Sequence, residues 1–176
     1  MIFTPSALDG VWVIDAERHA DTRGFFARTF CRAEFAAHGL PGDFPQCNVS
    51  QSARRGTVRG MHWQDEPHPE GKLVRCGRGA VYDVVADLRP GSPTRYRCLG
   101  YELSAAYGRG LYVPPGFGHG FQTLTDDAEM VYQMTEPFRP GLARGARWND
   151  PALGIAWPLP DPILSDRDRL HPSLPP

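Results

Sequence analysis

The sequence predicts an all-β chain, folded as a jelly roll or barrel. Nineteen glycines and 18 prolines among 176 residues are too many for a helical protein and too few for a low-complexity one. They cut the apolar residues into many short runs, the pattern of strands joined by tight turns. Such strands must be closed or sandwiched to protect their edges. The length suits one domain over residues 1–176, with a core large enough to fold alone. The net charge of −1 makes no field that would gather nucleic acid or an anionic membrane. Cys31, Cys47, Cys76 and Cys98 form no C-x-x-C pair. No secretory signal opens the chain, and no apolar run nears the ~18 residues of a membrane span, so a cytoplasmic protein with reduced thiols is expected.

Val11 to Asp15 is a short apolar strand, and Asp21-Thr22-Arg23-Gly24 is a turn before the β-rich Phe25 to Phe30. Arg32 to His38 reads as a short helix stopped by Gly39. Leu40 to Pro45 is loop, Gln46 to Ser52 alternates weakly, and Arg54-Arg55-Gly56 signals a hairpin before a strand from Thr57 to Gln64. A proline-broken loop, Asp65 to Glu70, leads to a strand from Lys72. Gly79 to Leu88 is the longest apolar strand, ended by Arg89-Pro90-Gly91-Ser92-Pro93. Cys98 to Ser104 and Leu111 to Val113 follow, then His119 to Leu124 and Glu129 to Glu136 around a turn at Thr125-Asp126-Asp127. From Pro137 onward Pro, Gly and Trp dominate. Trp148 and Trp157 need somewhere to bury, so this tail is an ordered loop region laid over the β core.

Side chains alternate along a strand, so Val58, Gly60, His62 and Gln64 are expected on one face. Lys72, Val74 and Cys76 share another, as do Val81, Asp83 and Val85, then His119, Phe121 and Thr123, then Met130, Tyr132 and Met134. If these faces line one interior, His62, Lys72, Asp83, His119 and Tyr132 converge. Singly, each has a plainer use: a hydrogen-bonded structural histidine, a buried acceptor, a core tyrosine with a satisfied hydroxyl. Lys72 stands apart as the sole lysine of an arginine-rich chain, which suggests a site wanting a compact ammonium rather than a planar fork. Arg23 and Arg59 could pair with phosphate. Regular alternation puts Arg59 opposite His62, so a shared ligand requires a bulge at Gly60. A three-ligand metal site finds little support: His62-Trp63-Gln64 holds one histidine, and His19, His38, His68 and His171 lie in turns, the helix or the tail. No nucleophile elbow, phosphate loop or dinucleotide fingerprint is present.

Asp21-x-Arg23-Gly24-Phe25-Phe26, Gln46-x-Asn48-x-Ser50, Arg59-Gly60-Met61-His62-x-Gln64 and Lys72-Leu73-Val74-Arg75 together resemble the dTDP-4-dehydrorhamnose 3,5-epimerase family. So do Gly116-Phe117-x-His119-Gly120-Phe121, Tyr132, Trp148-Asn149-Asp150 and Leu164-Ser165-x-x-Asp168. The match runs in order over nearly the whole chain. The resemblance implies a cupin-type jelly roll, a homodimer that exchanges N-terminal strands, and no metal or cofactor. It implies a His62 base supported by Asp168, a Tyr132 acid, and Lys72 near the carbonyl of a nucleotide-diphosphate sugar, with His119 and Asp83 supporting the site. It implies Arg23 and Arg59 on the diphosphate, with Gln46 and Asn48 close by and Phe26 and Phe138 toward the nucleotide. Two positions depart from the family pattern: Arg28 stands where many members have Glu, and Phe138 where many have a second Tyr. Three readings follow: epimerisation at carbons 3 and 5, epimerisation at one carbon or on another nucleotide sugar, and a sugar-binding cupin without catalysis.

Overall fold

Alternation along the strands decides which residues meet between two facing antiparallel sheets. The computed structural model describes residues 1–175. In chain order its elements are β1 (Ile2–Pro5), β2 (Trp12–Asp15), β3 (Arg18–Asp21), β4 (Gly24–Ala27) and α1 (Arg32–Ala37), then β5 (Gln46–Ser52), β6 (Val58–Gln64), β7 (Lys72–Arg78), β8 (Ala80–Asp87) and β9 (Cys98–Ser104). β10 (Arg109–Val113), β11 (Phe117–Thr123), β12 (Ala128–Met134), β13 (Ala143–Gly145) and α2 (Asp166–Leu170) complete the chain. One sheet runs β1-β2-β10-β7-β12-β5, the other β13-β6-β11-β8-β9, and β3 pairs only with β4. The arrangement is the expected jelly roll, with two separate sheets rather than one closed barrel.

Between the sheets lie Val13, Val74, Leu111, Val113 and Met130 from one side and Val81, Val85, Leu103, Phe117 and Phe121 from the other. Two outer layers cover the backs. α1 sets Phe35, fully buried, over Ile14, Leu73 and Tyr112. Gly39 (φ +69°) ends that helix as expected: its N–H donates to the Ala36 carbonyl and the Leu40 N–H to that of Phe35. The tail covers the other sheet, with Ala146, Leu153, Ile155 and Trp157 against Met61, Val84 and Ala86. The tail is thus the ordered cover that its tryptophans demanded.

Three expectations need correction. Arg54-Arg55-Gly56 does not close a hairpin within a sheet, and the turn at Thr125-Asp126-Asp127, present as expected, likewise joins strands that do not pair. Each carries the chain across to the opposite sheet, because β5 pairs with β12 and β6 with β11. Turn chemistry specifies a reversal but not the partner, which long-range burial selects. The β-rich run ends at Ala27 rather than Phe30. And β1, β3, β13 and α2 carried too few apolar residues to be read as elements.

The face assignment of β6 also changes. His62 lies opposite His119 and Arg59 opposite Phe121, so three residues of β6 span two of β11. The extra residue is a bulge at Gly60-Met61. It places Arg59 on the same face as His62, which strict alternation forbids, and turns Met61 into the tail-covered layer. Gly60 sits at φ +125°, and a Cβ there would stand 2.6 Å from Gly120 Cα and 2.8 Å from the His119 carbonyl oxygen. Both contacts are backbone and cannot yield. Gly60→Ala is therefore expected to destabilise the fold by about 2–3 kcal/mol, read as a melting temperature lower by roughly 5–10 °C. An unchanged melting temperature would show that the β6–β11 crossing tolerates a methyl group.

Candidate active site

Six elements bring polar side chains to one cleft of about 540 Å³ at the open end of the core. β6 supplies Arg59 and His62, β7 Lys72, β11 His119, β12 Tyr132, β5 Gln46, Asn48 and Ser50, and α2 Asp168. The volume suits a drug-sized ligand. His62 and His119 come from one sheet, Lys72 and Tyr132 from the other. A flat ligand between them would meet different groups on its two faces.

Each polar group has a partner that sets its state. His62 Nε2 lies 2.5 Å from Asp168 Oδ1. Asp168 is 4% exposed, so its only escape from desolvation is a donor. Burial pushes its carboxyl up, but the hydrogen bond and charge of His62 outweigh that and leave it below the usual range. The carboxylate accepts, so the His62 proton sits on Nε2 and Nδ1 keeps a basic lone pair. Asp168 is held by its helix: Ser165 caps α2 by accepting from the Asp168 N–H at 3.1 Å.

Lys72, 6% exposed, donates to the His62 carbonyl at 3.0 Å and pairs with Glu70 Oε1 at 3.0 Å. Its third N–H is left for a ligand. His119 Nε2 meets both oxygens of Asp83 at 3.0 and 2.9 Å. Asp83 is fully buried; burial raises its pKa while His119 and Lys72 oppose the rise. It stands behind His119 and does not line the cleft. The Tyr132 hydroxyl is 3.3 Å from Ser50 Oγ, and its ring meets the His119 ring edge-on at 6.2 Å. Burial pushes the Tyr132 phenol well up, so it stays protonated across the neutral range. Arg59 is aimed by Ser52 Oγ at 3.1 Å and the Gln51 carbonyl at 2.9 Å. Gln46 accepts from the Phe138 N–H at 2.9 Å, which brings Phe138 to the cleft wall.

Arg23 and Phe26 are not brought in. Arg23, its side chain 88% exposed, pairs with Asp21 in the β3–β4 turn, and Phe26 is 75% exposed. Arg28 pairs with Glu34, away from the cleft. Glu70, Ser50 and Arg167 line the cleft and were missed by sequence reasoning. Only α2 left a signal, the Ser165-x-x-Asp168 spacing of a helix start. His171 falls beside Asp168, 3.6 Å from Oδ1, so the tail does supply a second histidine to His62. His62, Asp168 and His171 offer donor atoms within 4.8 Å of one another.

Asp168 makes a checkable contribution to stability. Its folded-state pKa is depressed, so the contribution is complete above the unfolded value near 3.8 and is lost as pH falls through the folded one. Asp168→Asn should therefore lower the unfolding free energy at neutral pH by an amount constant down to about pH 5. The gap to the parent should shrink below that, in denaturant titrations at a series of pH values. A gap that widens in acid would refute the paired carboxylate.

The family model described as dTDP-4-dehydrorhamnose 3,5-epimerase matches residues 5–175. A dTDP-4-dehydrorhamnose 3,5-epimerase of Sinorhizobium fredii is 43% identical over 99% of this chain and 90% of its own length. A dTDP-4-dehydrorhamnose 3-epimerase of Streptomyces niveus is also 43% identical, over 96% of this chain and 82% of its own. The crystal structure of dTDP-6-deoxy-D-glucose-3,5-epimerase from Legionella pneumophila, in complex with dTDP-4-keto-L-rhamnose, superposes with a TM-score of 0.93 at 33% identity. That match covers 98% of this chain and 92% of the other.

Proposed function

The chain belongs to the dTDP-4-dehydrorhamnose 3,5-epimerase family, and on that premise we propose that it epimerises a nucleotide-linked 4-keto-6-deoxyhexose at carbons 3 and 5. The substrate would be dTDP-4-dehydro-6-deoxy-D-glucose and the product dTDP-4-dehydro-L-rhamnose. The observation that carries the reading is that His62 and Tyr132 line one cleft from opposite sheets. A base and an acid on opposite faces of a sugar ring are what inversion requires.

The carbon-4 carbonyl acidifies the hydrogens at carbons 3 and 5. His62 Nδ1 removes one, and Asp168 stabilises the imidazolium that forms. Negative charge moves to the carbonyl oxygen, where Lys72 answers it, an interaction worth about 3–4 kcal/mol when aimed well. Glu70 keeps the free site near neutrality. Tyr132 then returns a proton from the far face. His119, held by Asp83, fixes the ring of Tyr132. Arg59 binds the diphosphate, with Gln46, Asn48 and Phe138 toward the nucleotide. No redox carrier, metal or other cofactor is needed for proton transfer through an enolate.

The remaining two residues fit a homodimer. Among the described residues the β3–β4 hairpin pairs with no other strand, exposes Phe25 and Phe26, and holds Arg23 out of its own cleft. β5 offers an unpaired sheet edge with Val49 exposed. In a strand-exchanged dimer the hairpin lies on the second copy, and Arg23 and Phe26 complete that copy's cleft. No helix among the described residues is long and apolar enough to cross a membrane, and the proposed reading places the chain in the cytoplasm. The 3-epimerase relative, as similar as the 3,5-epimerase, favours a second reading in which only carbon 3 inverts.

Incubation with dTDP-4-keto-6-deoxyglucose in deuterated water, followed by NMR at carbons 3 and 5, separates these readings. His62→Ala should abolish deuterium uptake while nucleotide binding persists; parent-like exchange would refute the base. Tyr132→Phe should keep exchange, since His62 can return deuterium to its own side. Net epimerisation should fall by about 10²–10⁴-fold. Parallel loss of both would make Tyr132 a positioning group. Mixing inactive His62→Ala with inactive Arg23→Ala chains should regain activity, because each mixed dimer holds one intact cleft. No regain after subunit exchange would place Arg23 in its own chain's site or outside any.

A further inference from the structure

We propose that His62, Asp168 and His171 form an inhibitory site for a borderline transition metal such as Zn²⁺. The geometry points there independently of the reaction. His62 Nε2 and His171 Nε2 lie 2.5 and 3.6 Å from the same oxygen, Asp168 Oδ1. All three donors fall within 4.8 Å of one another. Around a tetrahedral zinc with bonds of about 2.0–2.1 Å the donors stand roughly 3.3 Å apart, so the His62–Asp168 pair opens by under ~1 Å and the widest pair closes by about 1.5 Å. His171 is free to provide it: its Nε2 is buried and has no hydrogen-bond partner among the described residues. Its ring lies over Gly145, where a Cβ would stand 2.4 Å from it, and Gly145 is the β13 partner of His62. The glycine thus admits the second imidazole beside the first.

Two imidazoles and one carboxylate select zinc, cobalt or nickel over magnesium. Inhibition follows from the tautomer. With Asp168 as acceptor the His62 proton sits on Nε2 and the lone pair on Nδ1. A metal on Nε2 displaces that proton, and the neutral ring carries it on Nδ1 instead. The nitrogen that would take the substrate proton then has no lone pair. This inhibitory half rests on His62 being the base; the binding half does not.

The test uses full-length chain stripped with a chelator, then titrated with zinc chloride alone. Calorimetry counts the sites, visible absorption of the cobalt form reports geometry, and deuterium exchange reports activity. The parent should bind one zinc per chain and lose exchange in step with occupancy, while magnesium chloride leaves it active. His171→Ala, which lies outside the cleft lining, should keep basal exchange and weaken zinc binding by about tenfold or more. His171→Gln repeats the measurement with the space filled. Cys47→Ser removes the exposed thiol and should change nothing. Equal zinc affinity in the parent and both His171 variants overturns the site. Binding that depends on His171 yet leaves exchange intact upholds the site and overturns His62 as the base.

Discussion

The close crossing of β6 and β11 at Gly60 and Gly120 is the constraint on which the rest depends. With no side chain at either position, backbone approaches backbone, and β6 absorbs an extra residue. That residue changes which side chains face inward. Arg59 and His62 come to one face, and Met61 turns out to anchor the tail. A regular strand would point the guanidinium and the imidazole to opposite sides of the sheet and leave either the cleft or the outer layer incomplete.

The tail is as much part of the site as the strands. Gln122, buried on β11, exchanges two hydrogen bonds with Leu159, each 2.9 Å. Ile163 bonds to Gly56 and Val58 at the start of β6, and Asp150 accepts from the Leu174 N–H at 2.7 Å. These bonds deliver α2 with Asp168 turned to His62. The layer that packs Trp157 and Leu153 against the sheet therefore also orients the histidine, through Asp168, so a loosened cover would disturb both core and cleft.

The carboxylates at the cleft are each matched to a nitrogen group. Lys72 meets Glu70, His62 meets Asp168, and His119 meets Asp83. Each carboxylate is more buried than a lone one could be, and each has a nitrogen partner close by. Arg59 stays toward the rim, exposed to solvent.

How much of this was legible in the residues depends on the range of the interaction. Strands β2, β5 to β12 and helix α1 follow from local alternation, glycine stops and turn chemistry, and the inward faces of β7, β8, β11 and β12 from period two alone. His62, Lys72, His119 and Tyr132 were visible because polar groups on otherwise apolar faces stand out. The sheet to which each strand belongs was not, since turns at Gly56 and Asp127 reverse the chain without naming a partner. Nor were Glu70 beside Lys72 and His171 beside Asp168, whose loop and tail carry no period to place them. The bulge at Gly60 was readable only as a condition, that Arg59 and His62 serve one ligand. The register against β11 met it, because a backbone can pass that close to another only where both strands lack a Cβ, and one strand alone does not show where its neighbour runs.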